Sequence, residues 1–212
     1  MNKPALDYFN TKAKELAAQY NALDREKVHA DLLEHLPEGR RLDVLDIGAG
    51  SGADANMFAE KGHRVVAAEP AEDLLHIARE TFKNKNIEWN TDVLPELKEA
   101  GRGGRQFDVI TAVGVLQYLD KDLRSKSLKT MFSMVAKNGV IEIQYPTPAS
   151  REHQYSIGNG EIAAFVEAFN EASVTGPRFE LIMDKNVPDH TGRKALDGSD
   201  LAFKTMLIRR VR

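Results

Sequence analysis

An α/β domain with a doubly wound, mostly parallel sheet is predicted by three observations. The apolar run Leu42, Val44, Leu45, Ile47 ends in glycines at alternate positions, Gly48, Gly50 and Gly52, and a helix-like segment, Ala53–Glu60, follows at once. A second apolar run, Arg64–Ala68, delivers Glu69 about 20 residues past Gly48. Strand-like segments at 87–89, Phe107–Val113 and 140–145 then alternate with helical ones.

The first segment reads as a buried parallel strand entering a tight turn and a helix N-terminus. Glycine suits that turn because a Cβ would block both its positive φ and the close approach of a ligand to the backbone. An acid at the end of the second strand is placed to accept hydrogen bonds from the two hydroxyls of a ribose. A nucleoside site is therefore expected at Gly48, Ala49, Gly50, Ser51, Gly52, Glu69 and Pro70.

Two cofactor classes use this architecture. The nicotinamide fingerprint G-x-G-x-x-G/A is formally present as Gly48, Gly50 and Ala53, a weak match by itself. Asp46, two residues before the first glycine, distinguishes them. A carboxylate there repels a pyrophosphate and welcomes an ammonium group. With Asp46, Gly48, Gly50 and Gly52 the chain resembles the class I S-adenosylmethionine-dependent methyltransferases, whose first motif is (D/E)-x-G-x-G-x-G.

The resemblance runs from about Val44 to Tyr145. It implies a Rossmann-like α/β/α sandwich with a seven-stranded sheet in the order 3-2-1-4-5-7-6 and an N-terminal helical extension. It implies S-adenosyl-L-methionine as cofactor, with Asp46 beneath the amino-acid end, Glu69 on the ribose, and Asp92 and Val93 at the adenine. The alternative for Asp92 is a turn cap before Leu94. After the fourth strand, 114–119 resembles the turn over the methionine part of the cofactor, adding Val113 and Gln117. Gln117 and Tyr118 stand where small-molecule members carry substrate-facing residues. Asn138 and Val140 depart from the family's Lys-Pro-Gly-Gly. A helix over 128–136 is expected to end at Asn138-Gly139 in a left-handed cap, before a strand over 140–145 that Pro146 and Pro148 stop.

Ahead of this core, apolar residues at Leu6, Phe9, Ala13, Leu16 and Tyr20 predict a helix over 6–20. A second follows Asp24 as N-cap, with Val28, Leu32, Leu33 and Leu36 on one face, and ends before Pro37. The resemblance makes this extension a lid and makes Tyr8 and Tyr20 candidates for the acceptor pocket, with ordinary packing as the alternative. His29, His35, His63 and His76 read as surface or partly buried residues. The family's pattern leaves Tyr20, Gln117 and His153 as catalytic candidates, and Tyr8, Tyr20, Tyr118 and Tyr145 as substrate contacts. The connection 146–160 and the polar loop 188–193, with His190, are the least readable segments. Arg151 and Arg193 are candidates to pair a carboxylate acceptor, although arginines of this kind are commonly just solvated.

At 212 residues and 42% hydrophobic content the chain reads as one domain, burying roughly 70% of its unfolded surface. It divides into a lid (1–40), a cofactor-binding core (41–145) and substrate-side elements (146–212). No apolar run approaches the ~18 residues of a membrane span, and Met1–Ala5 has no signal core, so a cytoplasmic protein is expected. A monomer or homodimer is expected. The chain has no cysteine, which excludes disulfides, thiolate metal sites and cysteine nucleophiles. No metal is expected. A net charge of −3 argues against a nucleic-acid partner and for a small-molecule acceptor. The basic clusters Arg102/Arg105 and Arg209-Arg210-Val211-Arg212 read as solvated ends. Three other functions stay open: a nicotinamide-dependent reductase, an aminopropyl transfer, and a binding module or partner subunit that holds the cofactor without turnover.

Overall fold

Alternation along the strands decides the architecture. In β1 (Asp43–Ile47), Leu45 and Ile47 face one side of the sheet and Val44 and Asp46 the other. The same division recurs in β2 (Arg64–Ala68), β4 (Phe107–Val113) and β5 (Val135–Thr147), so the sheet has an apolar core on each face. The computed structural model describes residues 2–189 and 194–212. With β3 (Ile87–Asn90), β6 (Phe179–Pro188) and β7 (Ala202–Arg210), the strands form one seven-stranded sheet in the order β3-β2-β1-β4-β5-β7-β6. The first five pair in parallel, whereas β7 runs antiparallel to both β5 and β6. The expected fold class and strand order are found.

Helix α5 (Ala53–Glu60) buries Ala55, Phe58 and Ala59 on the Val44 face. On the opposite face, α7 (Lys121–Met134) contributes Leu128, Met131 and Phe132, and α8 (Glu161–Ala172) contributes Ile162 and Val166. Phe132 stacks on Phe179 of β6 at 4.0 Å between ring centres, tying α7 to the sheet edge. The helix expected over 128–136 starts earlier, because Asp120 caps it by accepting from the Leu123 amide at 2.9 Å. It also ends earlier, at Met134, where Val135 turns to extended backbone. Asn138 does take a left-handed φ of 64°, but inside β5 rather than at a helix cap.

The N-terminal extension is four short helices instead of two longer ones. They are α1 (Lys3–Thr11), α2 (Ala13–Asn21), α3 (Arg25–Val28) and α4 (Ala30–Glu34). The breaks fall at Lys12 and His29, both with φ near −100° (−101° and −103°). Asp24 caps α3 as expected, accepting from the Lys27 amide at 3.3 Å. Ala5, Phe9, Ala13, Leu16 and Ala17 pack on Ala71 and Leu74 at the start of α6 (Glu72–Thr81). That helix has no side-chain cap of its own, and Asn10 of α1 accepts from its Asp73 amide at 3.1 Å. The extension is thus docked over the carboxyl ends of β1 and β2. Among the described residues no helix is long and apolar enough to cross a membrane.

Gly139 is required by space. A Cβ there would stand 2.8 Å from Val135 Cγ2 and 2.9 Å from the carbonyl oxygens of Ala136 and Asp108. Because two of those atoms are backbone, Gly139→Ala is expected to destabilise the fold by about 1–3 kcal/mol. A lower urea midpoint at unchanged m-value would show it; an unchanged midpoint would mean the β4–β5 junction yields without cost.

Candidate functional site

A cavity of about 520 Å³ opens above the carboxyl ends of β1, β2, β4 and β5, between the sheet and the N-terminal helices. Gly48, Gly50 and Gly52 all have positive φ (69°, 56° and 82°), the conformation the sequence required of them. A Cβ on Gly48 would collide with Val115 at 2.5 Å, whereas one on Gly50 would make only ordinary contact with the Tyr20 ring at 3.5 Å, so at Gly50 it is the positive φ that favours glycine.

Glu69 is the pivot of this turn. It is buried, and its two carboxylate oxygens accept from the Gly50 amide at 2.8 Å and the Ala71 amide at 2.7 Å. Burial pushes its pKa up to about 7 against the pull of the Ala71 and Gly50 amides. Gly48, Ala49, Gly50, Glu69, Val113, Gln117, Tyr20 and Tyr118 all line the cavity. Gln117 is buried, with its side-chain oxygen unpartnered.

Other candidates lie elsewhere. Asp46, Ser51, Gly52 and Pro70 stand behind or beside the wall. Asp92 and Val93 are not among the residues lining the cavity; the Asp92 side chain accepts from the Ala100 amide at 2.7 Å, eight residues on, rather than capping the turn before Leu94. Tyr145 is buried in the core on the α7 face, where burial pushes its pKa up to about 12. Tyr8 packs among the lid residues under Arg151. His153 is exposed, with a φ of 66°, and only its carbonyl is engaged, by Asn2 at 3.3 Å. His190 and Arg193 lie outside the described residues.

The sequence reading missed a buried charged cluster that reaches the cavity wall through Arg25, Asp54 and Gln144. Strand register sets Asp46 beside Thr111, and Thr111 beside Glu142, so three polar side chains form one row across β1, β4 and β5 on the α5 face. The Thr111 hydroxyl donates to Asp46 at 2.9 Å. His29 closes the row from the lid and, contrary to expectation, is completely buried. Its Nδ1 lies 2.5 Å from Glu142 and its Nε2 3.0 Å from Asp54, which also pairs with Arg25 at 2.9 Å. Gln144 completes the seam, donating to Glu142 and to the Val28 carbonyl, both at 2.9 Å.

Burial disfavours a charge on His29, but Glu142 and then Asp54 outweigh it and raise the pKa to about 10. Asp46 moves up to about 7, through burial first and then the charge of Asp54. Asp54 moves down, because His29 and Arg25 overcome its own burial. Two sequence signals pointed to this cluster. Positions 29, 32, 33 and 36 have the spacing of one helix face, and Glu142 is an acid between the apolar residues Ile141 and Ile143.

Comparison with known proteins agrees with this geometry. A family profile described as a methyltransferase domain matches residues 19–178. The chain belongs to this methyltransferase domain family. An uncharacterised methyltransferase of Staphylococcus carnosus is 27% identical over 117 residues, covering 54% of this chain and 52% of the relative. The chain therefore matches about half the length of that curated relative. Among solved structures, the fold is shared with the 1,6-didemethyltoxoflavin N1-methyltransferase of Burkholderia thailandensis, bound to 1,6-didemethyltoxoflavin and S-adenosylhomocysteine. That match has a TM-score of 0.67 at 19% identity and covers 98% of this chain and 88% of that one. Magnesium protoporphyrin IX methyltransferase from Synechocystis PCC 6803, bound to S-adenosylhomocysteine, matches at TM-score 0.70 and 13% identity, covering 97% and 98%.

Because the folded pKa of His29 lies above its unfolded value, its stabilisation is complete below about pH 6.5 and is lost as pH rises through about 10. The melting temperature should fall across that window. His29→Gln removes the cation beside Glu142 and leaves Asp54 paired with Arg25 alone, so a loss of about 3–5 kcal/mol and a flatter pH profile are expected. A variant as stable as the parent at pH 7 would show that the imidazole is not charged.

Proposed function

We propose that this chain is an S-adenosylmethionine-dependent methyltransferase acting on a small-molecule acceptor. The observation that carries the reading is Glu69, a buried acid at the end of β2 that faces a cavity across an open glycine turn. An acid so placed accepts from ribose hydroxyls. The turn's floor is acidic, with Asp46 and Asp54 buried against it, which suits a nucleoside bearing an ammonium better than one bearing a pyrophosphate. Asp46 keeps one buried oxygen without a partner. Neighbours of the same fold hold S-adenosylhomocysteine in their crystals, which supports the same cofactor here.

Gly48 and Gly50 would hold the amino-acid end along bare backbone, with Glu69 holding the ribose. Bound there, the cofactor supplies an electrophilic methyl group on a sulfonium, displaced in line with departure of a neutral thioether. The protein's own task is to position the acceptor and keep water out. The docked lid serves the second need and the cavity wall the first. Gln117, Tyr20 and Tyr118 face the space available to an acceptor. A base is needed only for an acceptor that must first lose a proton.

The test is a thermal melt with S-adenosylmethionine, S-adenosylhomocysteine, NADH and NADPH in parallel. At 100 times its dissociation constant a ligand stabilises by about 2.7 kcal/mol, a shift of roughly 5–10 °C at this size. The two sulfur compounds should shift the midpoint and the nicotinamides should not; the reverse would point to a reductase. Glu69→Ala should weaken S-adenosylhomocysteine by ~1–3 kcal/mol. Ribose hydroxyls favour the ionised carboxylate, so binding should release a proton from Glu69, whose pKa is raised to about 7. Affinity should therefore rise from about pH 6 to about pH 8 and respond less in Glu69→Gln. Titration calorimetry in buffers of different ionisation enthalpy reads both effects.

A further inference from the structure

The cations lining the cavity are not equivalent. Arg25 pairs with Asp54 at 2.9 Å, Lys27 with Asp24 at 3.1 Å and Lys185 with Asp31 at 2.7 Å. Arg151, partly buried in the same wall, has no carboxylate within 4.0 Å among the described residues. Its surroundings are phenols. Nη1 donates to the Tyr20 hydroxyl at 3.2 Å, and the guanidinium lies 5.7 Å from the centre of the Tyr8 ring.

The segment carrying it is held in place. Gln154 accepts from the Ser150 and Arg151 amides at 2.8 and 3.2 Å and donates to the Tyr118 hydroxyl at 3.1 Å, while the Tyr155 amide donates to the Gln117 carbonyl at 2.7 Å. The Tyr20 and Tyr118 hydroxyls both accept in these bonds, so each keeps its own O–H proton to donate. A guanidinium and two phenolic donors thus converge on the cavity wall without an acidic partner. Such a set is complete only with an anion, and the planar fork of arginine suits a carboxylate.

Taking the proposed reaction as given, we infer that Arg151, with Tyr20 and Tyr118, binds a carboxylate of the methyl acceptor, making this a methyltransferase for small organic acids. The cofactor's own carboxylate is the other source of the same chemistry. It is disfavoured because, among the described residues, the side chains of Arg151 and Gln154 donate to the Tyr20 and Tyr118 hydroxyls and neither donates to the glycine turn.

The test uses the full chain saturated with S-adenosylhomocysteine and matched probes, benzoate against benzamide and phenylacetate against phenylacetamide, at equal millimolar concentration. The acids should raise the melting midpoint more than the amides, and Arg151→Gln should abolish that difference. The variant's affinity for S-adenosylhomocysteine should stay within about two-fold, as for independent sites. Arg151→Lys should keep part of the acid preference, since charge survives and the fork does not. Equal response of the parent protein to acids and amides, or no response to either, overturns the proposal. So does a loss of about ten-fold or more for S-adenosylhomocysteine in Arg151→Gln with binding of 5′-methylthioadenosine intact, because Arg151 then serves the cofactor's carboxylate. Failure of the parent protein to bind S-adenosylhomocysteine would instead strike the methyltransferase reading itself.

Discussion

A buried imidazolium between two carboxylates joins the parts from which the cavity is made. His29 belongs to the N-terminal helices, Asp54 to the helix after the glycine turn, and Glu142 to the middle of the sheet; their mutual pairing, with Arg25 on Asp54 and Gln144 on Glu142, offsets the cost of burying them. Arg25 adds a second cation from the lid. Two positive charges thus meet the negative charges of Asp54 and Glu142, and the cluster is balanced before Asp46 is counted. That surplus explains why Asp46, and not Asp54, is the carboxylate whose pKa rises. The electrostatics of this buried cluster are therefore set partly by the N-terminal helices.

The lid docks through two kinds of contact. Its first half, α1 and α2, buries Phe9, Leu16 and small alanines on α6, a non-directional contact worth roughly 25 cal/mol per Å². Its second half, α3 and α4, adds Leu32 to the apolar core on the α5 face and is held as well by the ion cluster and by Gln144 on the Val28 carbonyl, which demand one geometry. A surface held only by apolar packing could slide. Register between lid and sheet is fixed by the charged half, and Arg25, Lys27 and Val28 are thereby placed on the cavity wall.

What could be read from the sequence was local. The glycine spacing, Glu69 at the next strand end and Asp24 as a cap each rest on residues close in the chain, and each is found in place. Breaks at Lys12 and His29 were invisible because the apolar rhythm runs through them: Phe9, Ala13 and Leu16 are buried on either side of the first. The His29–Glu142 pair is separated by 113 residues, and its existence depends on which strand neighbours which. Asp92, expected at the adenine or as a cap before Leu94, instead accepts from the Ala100 amide eight residues on, a loop closure that no capping rule reveals. Gly139 was read as a helix cap when its reason is the crowding of Asp108 across β4, a neighbour no spacing rule reveals.

The division of labour across the cavity follows from the same topology. The ends of β1 and β2 carry backbone amides and one acid, a surface that can be built from short motifs and so recurs wherever this fold binds a nucleoside. Other parts of the cavity wall come from segments far apart in the chain: Tyr20 from α2, Gln117 and Tyr118 from the turn after β4, Arg151 and Gln154 from the long connection after β5. Under the proposed in-line transfer these residues would need little acid–base chemistry and would be available for choosing the acceptor. Arg151 is linked to Tyr20 and Gln154 to Tyr118, while the edge of the Tyr20 ring also borders Gly50. A change in the 146–160 connection should therefore alter this part of the wall with less effect on Glu69 and the turn it holds than a change at Tyr20.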